Sequence, residues 1–175
     1  MAQMTEGTVP FQVPGKDITA FTYYKIFGDL FSRTAPLIIL HGGPGVGHEY
    51  LLSFADLWQL YKIPVVFYDQ IGCAASTHLQ DLVGDKEFWQ EPLFTAELEN
   101  LIDHLQLRDG SGFHLLGQSW GGMFGGAFAA SRPKAYKEAL GVFNKKFVCR
   151  DEVIPPLMMP AFKHLSEDNT VYGTM

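Results

Sequence analysis

Cysteine is scarce: the 175 residues hold only Cys73 and Cys149. Two thiols so spaced form no disulfide framework and no metal-ligand pattern. Both are expected reduced, as in a cytoplasmic protein. Basic residues are also few, 13 Lys and Arg against 19 Asp and Glu, for a net charge of -6. With no Lys/Arg cluster, nucleic acid is excluded as the main partner. Long apolar runs are missing too. The longest are strand length, so no membrane span is expected. The first residues, MAQMTEGTVPFQVPG, lack the basic and apolar regions of a secretory signal. There is no G-x-x-x-x-G-K-[ST], and no G-x-G-x-x-G fits a first strand and helix, so a phosphate cradle is excluded. No repeat or low-complexity stretch occurs. Nothing implies a metal or a cofactor.

What is present suits a compact globular domain: 47% hydrophobic and 14% aromatic residues in a chain long enough to bury a core. Residues 7–13 and 20–27 are rich in aromatic and β-branched residues and flank Pro14-Gly15-Lys16-Asp17, which predicts an antiparallel hairpin. The runs APLIIL (35–40), PVVFY (64–68) and GFHLL (112–116) read as strands buried on both faces. Helical spacing marks 50–61 and 95–107. In the second, Leu98, Leu101, Ile102 and Leu105 share a face, Thr95 is the expected N-cap, and Glu97 and Glu99 suit the positive end of the dipole. A short helix over 120–131 is stopped by Pro133. Strands alternating with helices predict a doubly wound, mostly parallel α/β sheet behind the hairpin. Residues 134–147 and 157–165 are expected to be helical, so the chain divides into a core half, 1–133, and a helical segment, 134–175.

Two glycine loops carry the chemistry. In HLLGQSWGGMFGG (114–126), a strand leads into Gly117-Gln118-Ser119-Trp120-Gly121 and a helix follows. Glycines two positions either side of a serine remove the Cβ atoms that would clash in a tight strand-to-helix turn. Ser119 then stands exposed at a helix N-terminus, where N–H groups favour developing negative charge. The competing reading is a chance match in a glycine-rich chain. The second loop, His41-Gly42-Gly43-Pro44-Gly45, follows the first buried strand, on the edge where open α/β sheets bind ligands. The N–H groups of Gly43 and Trp120 are the candidate oxyanion hole. The alternative for this loop is a tight turn with no donor role. Gly42 and Pro44 of this loop, and Gly117 and Gly121 of the serine turn, are structural positions of the two motifs.

These motifs, HGGPG at 41–45, YDQIGCAAS at 68–76 and GQSWGG at 117–122, resemble in content and order the proline iminopeptidase family of α/β-hydrolases. The stretch ELENLIDHLQL (97–107) resembles fungal members of that family. The family's middle motif reads DQRGxGxS. Here Ile71 stands for the arginine and Ala74 for a glycine. The resemblance covers most of residues 1–133. It implies a serine hydrolase that releases N-terminal proline or a small residue from a short peptide or amide through an acyl-enzyme on Ser119, without a cofactor. It also implies a helical cap, of which 134–175 resembles a remnant. Set against the family pattern, the chain is expected to lack the strand after the elbow helix and the later segments bearing the triad acid and histidine. The expectation is an internally deleted, C-terminally truncated hydrolase, impaired in catalysis.

Another histidine would have to serve as base. His41 shapes the glycine loop. His48 is a candidate to line the pocket, His104 lies on the amphipathic helix beside Asp103, and His114 is expected inside the sheet's layers. His78 lies in the loop region and His164 near the end, close to Glu167 and Asp168. A base needs both hydrogen-bond reach of the hydroxyl and a third group to orient it. The alternative function is an inactive hydrolase fragment acting as a binding or interaction module. Loss of strands also predicts an unpaired sheet edge and self-association through it.

Overall fold

The computed structural model describes residues 4–109 and 111–132. The chain divides into two compact units, Met1–Phe128 and Ala129–Met175. The expected helices of 134–147 and 157–165, Cys149 and His164 lie outside the described residues.

In the first unit, β1 (Met4–Gln12) and β2 (Thr19–Phe27) pair antiparallel along their full length, from Met4 opposite Phe27 to Gln12 opposite Thr19. The Pro14–Asp17 turn closes with Lys16 N–H donating to Val13 O and Val13 N–H to Ile18 O. Alternation decides the faces: Val9, Phe11, Ala20, Thr22 and Ile26 are buried, while most of their chain neighbours are not. Three short strands follow, β3 (Leu37–Leu40), β4 (Val65–Tyr68) and β5 (His114–Gly117). The sheet order is β1-β2-β4-β3-β5. β3 pairs parallel with β4 and β5, and β2 joins β4 antiparallel, so the sheet is mixed.

Both faces of β3 and β4 are covered. Ile38, Leu40, Val66 and Tyr68 look to one side, against Leu98, Leu101 and Ile102 of α2 (Glu91–His104) and Phe124 and Phe128 of α3 (Trp120–Ala130). Ile39, Val65 and Phe67 look to the other, against Leu51 and against Leu57 of α1 (Asp56–Tyr61). Burying each such side chain contributes about 1.5–3 kcal/mol. This is the doubly wound arrangement expected from alternating strands and helices.

Three expectations need correction. GFHLL is not a strand buried on both faces. β5 is outermost among the described strands, so His114 and Gly117 are exposed and Leu115 and Leu116 only half-buried. An apolar run reports hydrophobicity, not the number of neighbours. The helix expected over 50–61 is a 3-10 helix at Glu49–Ala55 followed by α1, which stops where Lys62 turns left-handed at φ +57°. Finally, α2 begins four residues before Thr95, with Pro92 in its first turn, where a missing N–H costs nothing. Thr95 is therefore not the N-cap. Its hydroxyl donates to Glu91 Oε1 at 2.8 Å inside the helix.

Candidate active site

Ser119 sits between β5 and α3, exposed, with φ +54°. A side chain adopts that left-handed conformation only where the surroundings force it. The forcing contacts are glycine contacts. A Cβ on Gly121 would lie 2.2 Å from Leu40 O, and one on Gly117 would lie 2.2 Å from Gly121 O. Only bare backbone lets α3 start directly against the end of β3. Gln118 N–H donates to Leu40 O at 3.1 Å and ties the turn to that strand. On the far side, Gly122 and Met123 N–H both donate to Ser119 O, at 2.9 and 3.3 Å. Trp120 N–H, first in α3, has no hydrogen-bond partner among the described residues.

The glycine loop leaves β3 at His41. Gly43 has φ +115°, and the Gly43-Pro44 peptide is cis. Gly42 is buried, and its N–H donates to Tyr50 Oη at 2.7 Å. Gly43 N–H has no such partner among the described residues. Pro44 and Gly45 of this loop, with Trp120, Phe94, Trp89 and Ile71, line a cavity of about 480 Å³, where Glu91 and Gln90 supply polar groups. The aromatic wall is fixed by packing. Phe94 meets Trp120 edge-on at 5.0 Å, and Trp120 stacks on Phe124 at 5.3 Å.

The two departures in the middle motif both bear on this cavity. Ile71, in place of the arginine, is buried and makes the wall apolar. Ala74, in place of the glycine, keeps the left-handed backbone at φ +47°, at a steric cost of about 1–2 kcal/mol.

The described histidines lie outside the cavity lining. His41 is fully buried. Its Nε2 accepts Gln70 N–H at 3.0 Å and its Nδ1 lies 2.9 Å from Gly42 O, so Nδ1 carries the proton. Burial pushes its pKa below the ordinary value, which keeps the ring neutral. Both nitrogens hold loops in place. His48 is buried, with Nδ1 2.8 Å from Asp69 Oδ1 and the ring against Tyr23 and Phe67. It does not line the cavity, contrary to expectation. His78 is exposed with Nε2 on Ala74 O, and the ring of His104 packs against Tyr24 at 5.9 Å. His114, expected inside the layers, is exposed at the start of β5. No described histidine lines the cavity.

Several residues escaped sequence reasoning. Asp69 accepts His48 N–H, the His48 ring and Ala75 N–H, binding the glycine loop to the loop after β4. Burial raises its pKa, but these bonds outweigh burial and hold it below the ordinary value. His48, Glu49 and Asp69 are the described group closest to a metal-ligand set. Asp69 already spends both oxygens on those donors. Glu97 was read as a dipole residue. It is fully buried and bridges Thr22 Oγ1 (2.6 Å) and Ile71 N–H (2.8 Å). Burial pushes its carboxyl up to about 7, against the downward pull of those bonds. Cys73, buried beside His41, is pushed up to about 12, mainly by burial, which makes it inert as a nucleophile.

Comparison with known proteins places this geometry. The family model for the alpha/beta hydrolase fold matches residues 35–139. The proline iminopeptidase of Lactiplantibacillus plantarum is 42% identical over 120 residues, 68% of this chain and 39% of that protein. That of Levilactobacillus brevis is 45% identical over 102 residues, 58% of this chain and 32% of that protein. The chain thus spans well under half the length of these relatives. Both are bacterial, and they do not confirm the fungal part of the resemblance. Among solved structures, VinJ superposes with a TM-score of 0.64 at 32% identity, over 96% of this chain and 69% of VinJ. Proline iminopeptidase of Mycobacterium smegmatis gives 0.60 at 26%, over 95% and 69%. About two thirds of the chain is similar to proline iminopeptidases, and the chain belongs to the alpha/beta hydrolase fold family.

Proposed function

We propose that this chain carries the nucleophile and oxyanion half of a serine hydrolase of the proline iminopeptidase type. Ser119 Oγ attacks the carbonyl of a small peptide or amide. The N–H groups of Gly43 and Trp120 receive the oxyanion, the Ser119 hydroxyl proton passes to the amine as its C–N bond breaks, and water then hydrolyses the ester, releasing the acid and returning a proton to Ser119 Oγ. The observation that carries this reading is the φ of +54° at Ser119, between a strand and a helix, together with a Gly43 N–H that has no partner among the described residues. The apolar, aromatic cavity suits a ring such as that of proline, and the iminopeptidase relatives support the same choice. No cofactor enters the chemistry.

No described histidine lines the cavity, which supports the reading that catalysis in this chain is impaired. Without a base, oxyanion stabilisation and binding retain about 10³–10⁴-fold over water. A second reading rests on the burial of His41 and His48 outside the cavity lining: an inactive hydrolase fragment that acts as a binding or interaction module. The protein acts in the cytoplasm, which the absence of a membrane-crossing helix among the described residues permits. Turnover of a proline amide separates the two readings. Ser119-dependent turnover supports the hydrolase, and binding of a proline peptide without turnover supports the module.

A further inference from the structure

Tyr50 is the first residue of the stretch 50–61 whose spacing predicts a helix. Its hydroxyl does something else. Oη accepts the N–H of buried Gly42 at 2.7 Å and donates to Gln118 Oε1 at 2.7 Å. Gly42 immediately precedes the candidate donor Gly43, and Gln118 immediately precedes Ser119. One hydroxyl therefore joins the glycine loop to the serine turn. The joint is tight. A Cβ on Gly42 would lie 2.7 Å from Gln118 Oε1, 3.0 Å from Tyr50 Oη and 3.1 Å from Gln118 O. Gly42 thus lacks a side chain because the turn lies against it.

The bond also distinguishes two adjacent loop amides. Gly42 N–H is consumed by Tyr50, and Gly43 N–H has no partner among the described residues. Without the hydroxyl, a buried N–H would be orphaned, at a cost that the loop would relieve by moving. Tyr50 itself is half-exposed and outside the cavity lining.

We propose that Tyr50 is a positioning residue. Its hydroxyl holds the glycine loop against the serine turn and so sets the separation of the Gly43 and Trp120 N–H groups. The role rests on the hydrolase reading of Ser119, but the joint can be tested apart from it. Residue-resolved hydrogen exchange by NMR on the 175-residue chain reads the Gly42 amide directly. In Tyr50→Phe, Gly42 exchange should accelerate about tenfold or more, while Ile39 and Phe67 in the central strands keep their protection. Gln118→Leu should accelerate Gly42 exchange in the same way, and the double variant should be no faster than Tyr50→Phe alone. Fluorophosphonate labelling of Ser119 should slow about tenfold in Tyr50→Phe. Should Tyr50→Phe fail to fold, the exposed Gln118→Leu keeps the coupling readable. Unchanged Gly42 exchange in Tyr50→Phe, or in Gln118→Leu where only that variant folds, would overturn the proposal. So would effects of the two substitutions that multiply. If the parent chain takes no label at Ser119 while Gly42 responds as stated, the hydrolase reading falls and the joint stands.

Discussion

Ser119 stands in its strained conformation because two neighbours have no Cβ. At Gly121 an added Cβ would meet Leu40 O at 2.2 Å and His41 O at 2.6 Å, both backbone atoms that cannot swing aside. Gly121→Ala should therefore destabilise the fold by about 3 kcal/mol, at the severe end for an overpacked site. Urea denaturation reads this as a lower midpoint. A variant as stable as its parent would mean that α3 does not start against β3. This residue was legible in the sequence because the spacing Gly117-Ser119-Gly121 expresses a local steric need. Tyr50, Asp69 and His48 were not legible in their roles. Their partners lie 8 to 68 positions away in the chain, and no local pattern encodes such pairings.

At the level of elements, α2 was found but misplaced at its start. Thr95 is a good cap residue in general, yet Pro92 fits the first turn and the helix extends back to Glu91. The apolar face through Leu98, Leu101 and Ile102 survived that error, since periodicity is independent of where a helix begins. All three are fully buried. Leu101→Ala should cost about 2–5 kcal/mol, depending on how far the site collapses. A loss well under 1 kcal/mol would contradict the packing described.

The same helix carries a strongly pH-sensitive group. Glu97 lies among buried residues and clamps Ile71, which lines the cavity. Its carboxyl is raised from an ordinary 4.5 to about 7. Between those values the native state holds more protons than the unfolded chain, so stability falls as pH rises through that window. The loss is complete above about 7 and amounts to about 3 kcal/mol. Glu97→Gln removes this titration. Its stability relative to the parent should therefore rise between pH 5 and pH 8, as read by denaturation at each pH. Parallel pH profiles for the two chains would contradict the assignment.

For the whole molecule, composition and alternation sufficed to foresee a hairpin leading into an α/β sheet with helices on both faces. They did not reveal the strand order β1-β2-β4-β3-β5. That order leaves β5 outermost among the described strands, with its ends exposed. An unpaired strand edge is a template for a second chain. We expect the 175-residue chain to self-associate through β5. Sedimentation velocity should show dimers or larger species that shift toward monomer when Leu115, half-buried on β5, is replaced by Lys. A concentration-independent monomer would contradict this.

The central claim is that Ser119 is a strained, exposed nucleophile whose base lies outside the described residues. Fluorophosphonate labelling of the 175-residue chain, read by intact mass beside turnover of a proline amide, tests it most directly. The account predicts slow labelling that disappears in Ser119→Ala, with turnover too weak for an ordinary assay. Labelling that persists in Ser119→Ala would put the nucleophile elsewhere. Brisk turnover abolished by replacing His41 or His48 would mean that a described histidine does act as the base, contrary to the account.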